Sequence, residues 1–144
     1  TTYHNVKFAL LRPFPRTSAI LIYLKSKGYR LGAITNGITI KQWEKLVRLN
    51  LYQFFDIVIT SEEVGVEKPD PEIYIEACRR MACDVHKSVM IGNKLDIDCM
   101  GAVNAGMSAI LVNSTLSPEE KERVNNEDIN IIVLDSISDV DTVL

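Results

Sequence analysis

The chain has 144 residues, of which 47% are hydrophobic and 24% are charged, and its formal net charge is -3. This composition excludes collagen-like, low-complexity and disordered chains, and the length suits about one domain. The acidic balance, without a cluster of Lys or Arg, argues against binding to nucleic acid or to an anionic membrane. The longest apolar run, Ala19 to Leu24, has six residues, which is far too short to span a bilayer.

Five short runs rich in Ile, Val, Leu or Met are apolar on consecutive positions. This pattern is typical of strands that are covered on both faces, as in a parallel sheet. In chain order the predicted strands are Arg30–Thr35, Ile57–Thr60, Ser88–Ile91, Ala109–Val112 and Ile131–Leu134.

Amphipathic segments alternate with these strands and predict helices. Their predicted positions are from Pro15 and Thr17 to Gly28, from Thr39 onward, from Pro71 to Ala82, from Leu95 to Ala105, from Ser117 onward, and over Ile137–Leu144. In the helix that begins at Thr39, we expect Trp43, Leu46 and Val47 to face the core. The alternation predicts an α/β fold with an open, doubly wound, Rossmann-like parallel sheet.

The three cysteines, Cys78, Cys83 and Cys99, are odd in number and form no Cys-x-x-Cys pair. A disulfide framework and a structural zinc site are therefore not expected. We predict three reduced thiols in a cytoplasmic protein.

Ligands of open α/β sheets bind beyond the carboxyl ends of the strands, so the segments at that edge are the candidate site. Thr35-Asn36-Gly37 offers a hydroxyl and exposed backbone N–H groups, which suits an anion such as phosphate. Lys68 lies on a loop stiffened by two prolines and can neutralise a phosphate or a carboxylate. Taken singly, these residues are better explained by a strand-to-helix turn and by a solvated lysine before a helix.

A third segment, Gly92-Asn93-Lys94-Leu95-Asp96-Ile97-Asp98, leads from a predicted strand through an acidic turn into a helix. Carboxylates at a strand end suit a hard cation such as Mg²⁺. The alternative is a helix start with acidic residues placed against the positive end of the helix dipole.

In this order and spacing, the three segments resemble the haloacid dehalogenase-like (HAD) hydrolase superfamily, most of whose members are phosphatases. Four further segments resemble its archaeal phosphatase-like branch with a helical cap: Tyr3–Lys7, Leu11–Pro13, Lys41–Leu46 and Gly65–Pro69. The resemblance covers nearly the whole chain up to about Val112 and is looser beyond.

The resemblance implies a Mg²⁺-dependent phosphomonoester phosphatase that works through an aspartyl-phosphate on a small phosphorylated molecule. It assigns phosphate binding to Thr35, Asn36, Gly37 and Lys68, of which Thr35 and Lys68 are also expected to be catalytic.

The resemblance places the Mg²⁺ site at Asn93 and Asp98, with Asp96 in reserve. Asn93 stands where the family has an acid, and an amide oxygen brings no charge. We therefore expect a weakened metal site.

The family's nucleophile motif, Asp-x-Asp-x-Thr/Val, belongs on the first, central strand, and no such motif lies near the N-terminus. The Asp pairs that are present, Asp96 with Asp98 and Asp139 with Asp141, fall in the metal turn and in the last helix. We therefore expect residues 1–15 to be the end of a cap and its return linker. Residues 16–144 would then be an incomplete HAD-like core that lacks its central strand.

A missing central strand would leave unpaired sheet edges on either side of the gap. We therefore expect the 144-residue chain alone to be inactive, and to self-associate or to pair with a missing N-terminal segment, since it begins with Thr1 rather than Met. The alternative is a non-catalytic HAD-fold binding or scaffold protein, a pseudoenzyme, which Asn93 supports.

Overall fold

The computed structural model describes residues 6–126 and 129–144, and they form a six-stranded parallel sheet. The strands are β1 Phe8–Leu11, β2 Arg30–Thr35, β3 Ile57–Thr60, β4 Ser88–Gly92, β5 Ser108–Val112 and β6 Ile131–Leu134. Their order across the sheet is β3-β2-β1-β4-β5-β6, and all five pairings are parallel. The predicted doubly wound, Rossmann-like architecture is confirmed.

Helices follow the strands as the alternation predicted. They are α1 Ser18–Ser26, α2 Thr39–Arg48, α3 Ser61–Val64, α4 Pro71–Met81, α5 Gly101–Asn104 and α6 Pro118–Val124. A π-helical segment, Leu95–Met100, runs directly into α5. Short 3-10 helices lie at Tyr52–Phe54, Val85–Lys87 and Ile137–Thr142. Among the described residues, no helix is long and apolar enough to cross a membrane.

Each face of the sheet is covered by its own apolar layer. The inward side of α1 packs in one layer with Leu11 and with the Ile137–Thr142 segment. The inward side of α4 packs in the opposite layer with Leu10. Neighbouring residues of β1 therefore point to opposite layers, as the two-residue repeat of a strand requires.

Helix α2 is more exposed than its pattern predicted. Leu46 is fully buried, but Trp43 is 41% exposed and Val47 is 58% exposed. The prediction that all three face the core is wrong for Trp43 and Val47, because only Leu46 of α2 reaches the core layer, while the helix otherwise packs beside α3 and the Tyr52–Phe54 segment.

The centre of the sheet is filled. Strand β1 pairs with β2 on one side and with β4 on the other, through Phe8 to Leu11. The expected gap at the centre, and the assignment of this segment to a linker, are therefore wrong. The physical reason is that Phe8–Leu11 is itself a short apolar run, and strands β2 and β4 would otherwise expose unpaired backbone groups. Residues 1–5 of the predicted linker lie outside the described residues.

Candidate functional site

Lys68 is a buried cation at the carboxyl edge of the sheet. Its Nζ donates to the carbonyl of Ile34 at 3.0 Å and to Asp98 Oδ1 at 2.7 Å, and only 4% of the residue is exposed. Burial lowers the pKa of Lys68, while the nearby Asp98 carboxylate opposes that shift. The lysine is held in place because helix α4 begins three residues after it, with Asp70 as N-cap and Pro71 in the first turn.

Asp98 is the anionic centre of this edge and is completely buried. Its Oδ2 accepts hydrogen bonds from the backbone N–H groups of Asn93 at 3.2 Å and Lys94 at 3.1 Å. Arg12 approaches the same oxygen at 3.5 Å. The packing requires a glycine at position 92, because a Cβ there would lie 2.3 Å from the Asp98 Cβ.

Thr35 and Asn36, the predicted phosphate ligands, lie beside Lys68 and hold the site together. Asn36 accepts a hydrogen bond from the Lys68 backbone N–H at 2.8 Å and donates to the Lys68 carbonyl at 3.1 Å. The Thr35 hydroxyl donates to Gln42 Oε1 at 2.6 Å. Asn36 therefore positions the lysine, and Gln42 of α2 orients the threonine.

Gly37, the fourth predicted phosphate ligand, faces elsewhere. Its N–H donates to Ser61 Oγ at 2.7 Å, and its φ of +133 favours glycine. It lines a separate cavity of about 480 Å³ together with Ser61, Glu62 and Glu67. The structure does not bring its backbone N–H to Lys68.

The predicted metal residues separate into three environments. Asn93 Oδ1 is buried without a hydrogen-bond partner among the described residues. Asp98 is engaged by cations and backbone N–H groups. Asp96 is 63% exposed and pairs with Arg123 at 2.6 Å.

These donors do not fit a Mg²⁺ ion. Mg²⁺ sites are usually built on one or two carboxylates, and here the one buried carboxylate, Asp98, already has partners on both oxygens. Across residues 6–126 and 129–144, no group of three or more His, Cys, Asp or Glu side chains could hold a metal. The unpartnered Asn93 oxygen alone supplies no charge.

A cavity of about 300 Å³ opens directly above this network. It is lined by Arg12, Thr35, Asn36, Gln42, Lys45, Lys68, Lys94 and Ile97. Four of these side chains are cations and none is an acid, although the protein as a whole is acidic. Burial lowers the pKa of Lys45, and the nearby positive charges of Arg12 and Arg48 lower it further. The cavity is therefore suited to an anion.

Sequence reasoning missed Arg12, Gln42, Lys45 and Lys94 as members of this cavity. A signal for Arg12 was present, because it directly follows an apolar run and so stands at the carboxyl end of β1. The resemblance places the nucleophilic Asp of the family on the central strand, and here the residue that follows the central strand is Arg12. The other Asp pair does not replace it, because Asp139 lies in the 3-10 helix beyond the edge strand β6, where it accepts from the N–H of Ser136.

Comparison with known proteins agrees with the α/β fold of the chain. A family model described as haloacid dehalogenase-like hydrolase matches residues 1–112. The chain belongs to this family. Members of the HAD family generally use Mg²⁺. The chain is 61% identical to a glyceraldehyde 3-phosphate phosphatase of Methanothermobacter thermautotrophicus over 99% of its own length and 63% of the relative.

Two solved structures of HAD proteins have the same fold. A HAD phosphatase from Thermococcus onnurineus matches 90% of this chain and 57% of its own, with 28% identity and a TM-score of 0.76. The HAD hydrolase YfnB from Bacillus subtilis, bound to magnesium, matches 89% of this chain and 54% of its own, with 23% identity and a TM-score of 0.73. The chain spans 63% of the Methanothermobacter relative and about half of other archaeal relatives of the same name.

Proposed function

We propose that this chain supplies the phosphate-binding core of a HAD phosphomonoesterase that acts on a small phosphorylated molecule. The observation that carries the proposal is the cationic cavity above Lys68 and Asp98. A triose phosphate is the first candidate substrate, because the Methanothermobacter relative is named a glyceraldehyde 3-phosphate phosphatase. The three free thiols support the cytoplasm as its location.

The described side chains have separable roles in this reaction. Lys68 balances the negative charge of the phosphoryl oxygens, because its ammonium is fixed by Asp98 and by the Ile34 carbonyl. Thr35 presents its hydroxyl to the phosphate after releasing its hydrogen bond to Gln42. Asn36 holds the Lys68 backbone by two hydrogen bonds, so it acts as a positioning residue.

The nucleophile of the proposed reaction is an aspartate, and residues 6–126 and 129–144 place no aspartate in the lining of the cavity. The nucleophile would attack phosphorus and form an aspartyl-phosphate while the P–O bond to the substrate breaks and the leaving oxygen takes a proton from the second aspartate of the Asp-x-Asp motif. Water, deprotonated by that second aspartate, would then attack phosphorus, release inorganic phosphate and restore the first carboxylate. Arg12 stands at the end of the central strand instead. We therefore propose that the 144-residue chain by itself does not hydrolyse the substrate. Mg²⁺ dependence would belong to a protein that carries the Asp-x-Asp segment on its central strand, in the place that β1 takes here.

Two proteins test this proposal with p-nitrophenyl phosphate and glyceraldehyde 3-phosphate in the presence of Mg²⁺. The 144-residue chain is expected to hydrolyse neither substrate. A fusion that adds the part of the Methanothermobacter relative outside the match is expected to hydrolyse both, and Lys68→Met in that fusion to abolish hydrolysis. Hydrolysis by the 144-residue chain would show that its nucleophile lies within these 144 residues.

A second candidate is a non-catalytic HAD-fold protein that binds a phosphorylated molecule. Arg12 at the end of the central strand and the amide of Asn93 in the metal turn favour it. An inactive fusion, alongside an active full-length relative in the same assay, would support this second function over the first.

A further inference from the structure

We propose that this site binds phosphate, and phosphorylated small molecules, without a divalent metal, because Arg12 supplies the positive charge that a metal ion would supply. The inference rests on the proposed function, since it concerns the same cavity. It adds the chemical basis of binding, which differs from that of metal-dependent members of the family.

The hydrogen bonds of Asp98 are the first step of the argument. Its Oδ1 accepts from Lys68 at 2.7 Å, and its Oδ2 accepts from two backbone N–H groups and lies 3.5 Å from Arg12. A metal ion would have to displace a buried ammonium or a guanidinium to reach either oxygen. A buried lysine that loses its carboxylate partner is strongly disfavoured.

The charge of the cavity is the second step. Arg12, Lys45, Lys68 and Lys94 line it, and Asp98 is the one carboxylate that the described network places against them. A divalent cation that enters meets repulsion from these side chains, whereas a phosphate dianion relieves the repulsion among them. Burial is the main reason why the pKa of Lys45 is lowered, and the positive charge of Arg12, which lines the same cavity, lowers it further.

The geometry of Arg12 is the third step. Its Nη1 lies 3.5 Å from Asp98 Oδ2, its side chain is 29% exposed, and the residue lines the cavity. A guanidinium is always charged and presents paired donors that match two phosphate oxygens. Its position at the end of the central strand places those donors at the middle of the sheet edge.

Isothermal titration calorimetry with inorganic phosphate tests the inference on the 144-residue chain. We expect the dissociation constant to be the same with EDTA and with excess Mg²⁺. Arg12→Gln is expected to weaken phosphate binding about tenfold, the order expected for loss of one charge-assisted hydrogen bond. The matched control is Arg16→Gln, which removes the same charge from an exposed residue outside the cavity and should leave the dissociation constant unchanged.

Titration with Mg²⁺ alone gives an independent readout. The unmodified chain is expected to bind no Mg²⁺, whereas the double variant Arg12→Gln with Asn93→Asp is expected to bind it, because it removes a cation and adds a carboxylate beside Asp98. Mg²⁺ binding to the unmodified chain as tight as that to the double variant would overturn the inference.

The outcomes separate this inference from the proposed function. Phosphate binding that occurs only with Mg²⁺ would overturn the inference and leave the phosphatase proposal standing. Equal losses of phosphate affinity in Arg12→Gln and Arg16→Gln would overturn the role of Arg12. Absence of phosphate binding under both conditions would overturn the inference, and hydrolysis by the fusion protein would then decide the proposed function by itself.

Discussion

Strand β4 carries a buried polar cluster at each end, and the two clusters differ in charge. At the carboxyl end, past Gly92, Asp98 is paired with Lys68 and approached by Arg12. At the amino end, Ser88 donates to the carbonyl of Asp84 at 2.8 Å. Its hydroxyl also lies 3.6 Å from the Cys78 sulfur and 3.3 Å from the Cys83 sulfur.

The difference shows what distinguishes a binding site from a structural cluster. The amino-end cluster consists of thiols and a hydroxyl that satisfy one another. The carboxyl-end cluster contains more cations than its single carboxylate neutralises, and it opens into a cavity of about 300 Å³. Burial and hydrogen bonding are common to both ends, whereas excess charge beside a cavity is found at the carboxyl end, where parallel sheets bind ligands.

The largest expected effect is on stability and concerns Asp98. Asp98→Ala leaves the buried Lys68 without its carboxylate, so we expect it to lower the free energy of unfolding by about 3–5 kcal/mol. Ser88→Ala at the other end removes a neutral hydroxyl and should cost about 1–3 kcal/mol. Urea denaturation of both variants measures the difference, and equal losses would contradict the proposed contrast between the ends.

Asp96→Ala is the matched control for Asp98→Ala within the same turn. The Asp96 side chain is 63% exposed and its partner Arg123 is also at the surface. We therefore expect Asp96→Ala to lower the free energy of unfolding by about 0–1 kcal/mol. A loss as large as that of Asp98→Ala would show that the turn, and not the buried ion pair, determines stability here.

A smaller effect is expected from a single methyl group at Gly92. Gly92→Ala places a Cβ 2.3 Å from the Asp98 Cβ, so the Asp98 side chain must shift from its present position, at a cost of about 1–3 kcal/mol. We also expect weaker phosphate binding. Gly28→Ala is the control, because a Cβ there meets no atom within 4 Å and its positive φ alone costs about 1 kcal/mol. Unchanged phosphate affinity in Gly92→Ala would show that the Asp98 position is not critical.

Much of the fold could be predicted from the sequence because buried parallel strands are continuous apolar runs. Strands β2, β3 and β6 have the predicted bounds, and β4 and β5 are each one residue longer. The central strand β1 was missed for a specific reason. Its four residues were assigned from family resemblance to a linker, although Phe8–Leu11 carries the same apolar signal as the other strands.

The location of the site could be predicted from individual residues of the sequence. The availability of Asp98 for a metal could not, because it depends on which side chains lie beside it. Thr35, Asn36, Lys68 and Asp98 meet at one edge because strand ends and a proline-stiffened loop bring them there. Whether Asp98 is free for a metal depends on Arg12, which is 86 residues away in the sequence. No spacing rule along the chain reports such a contact. Their roles in phosphate or metal binding stay predictions until the titrations above are made.

The last prediction concerns the reactivity of the amino-end cluster and involves no change in stability. A hydrogen bond from the Cys78 thiol, together with smaller effects of Ser88 and Arg30, lowers the pKa of Cys83 to about 7 against the opposing effect of burial. The same hydrogen bond raises the pKa of Cys78, and burial raises that of Cys99. Because the thiolate is the nucleophile, alkylation of Cys83 by iodoacetamide should rise as the pH passes through about 7 and then level off, while Cys78 and Cys99 stay unreactive.

Peptide mapping by mass spectrometry after timed alkylation identifies the modified thiol. Cys78→Ala should shift the profile of Cys83 toward pH 9, because the hydrogen bond that stabilises its thiolate is removed. Similar rates at all three cysteines in the unmodified chain would contradict the arrangement. If Cys83 is reactive and its alkylation leaves phosphate binding unchanged, the contrast between the two ends of β4 becomes sharper. The amino end would then carry a negatively charged thiolate, whereas the carboxyl end binds an anion through its cations.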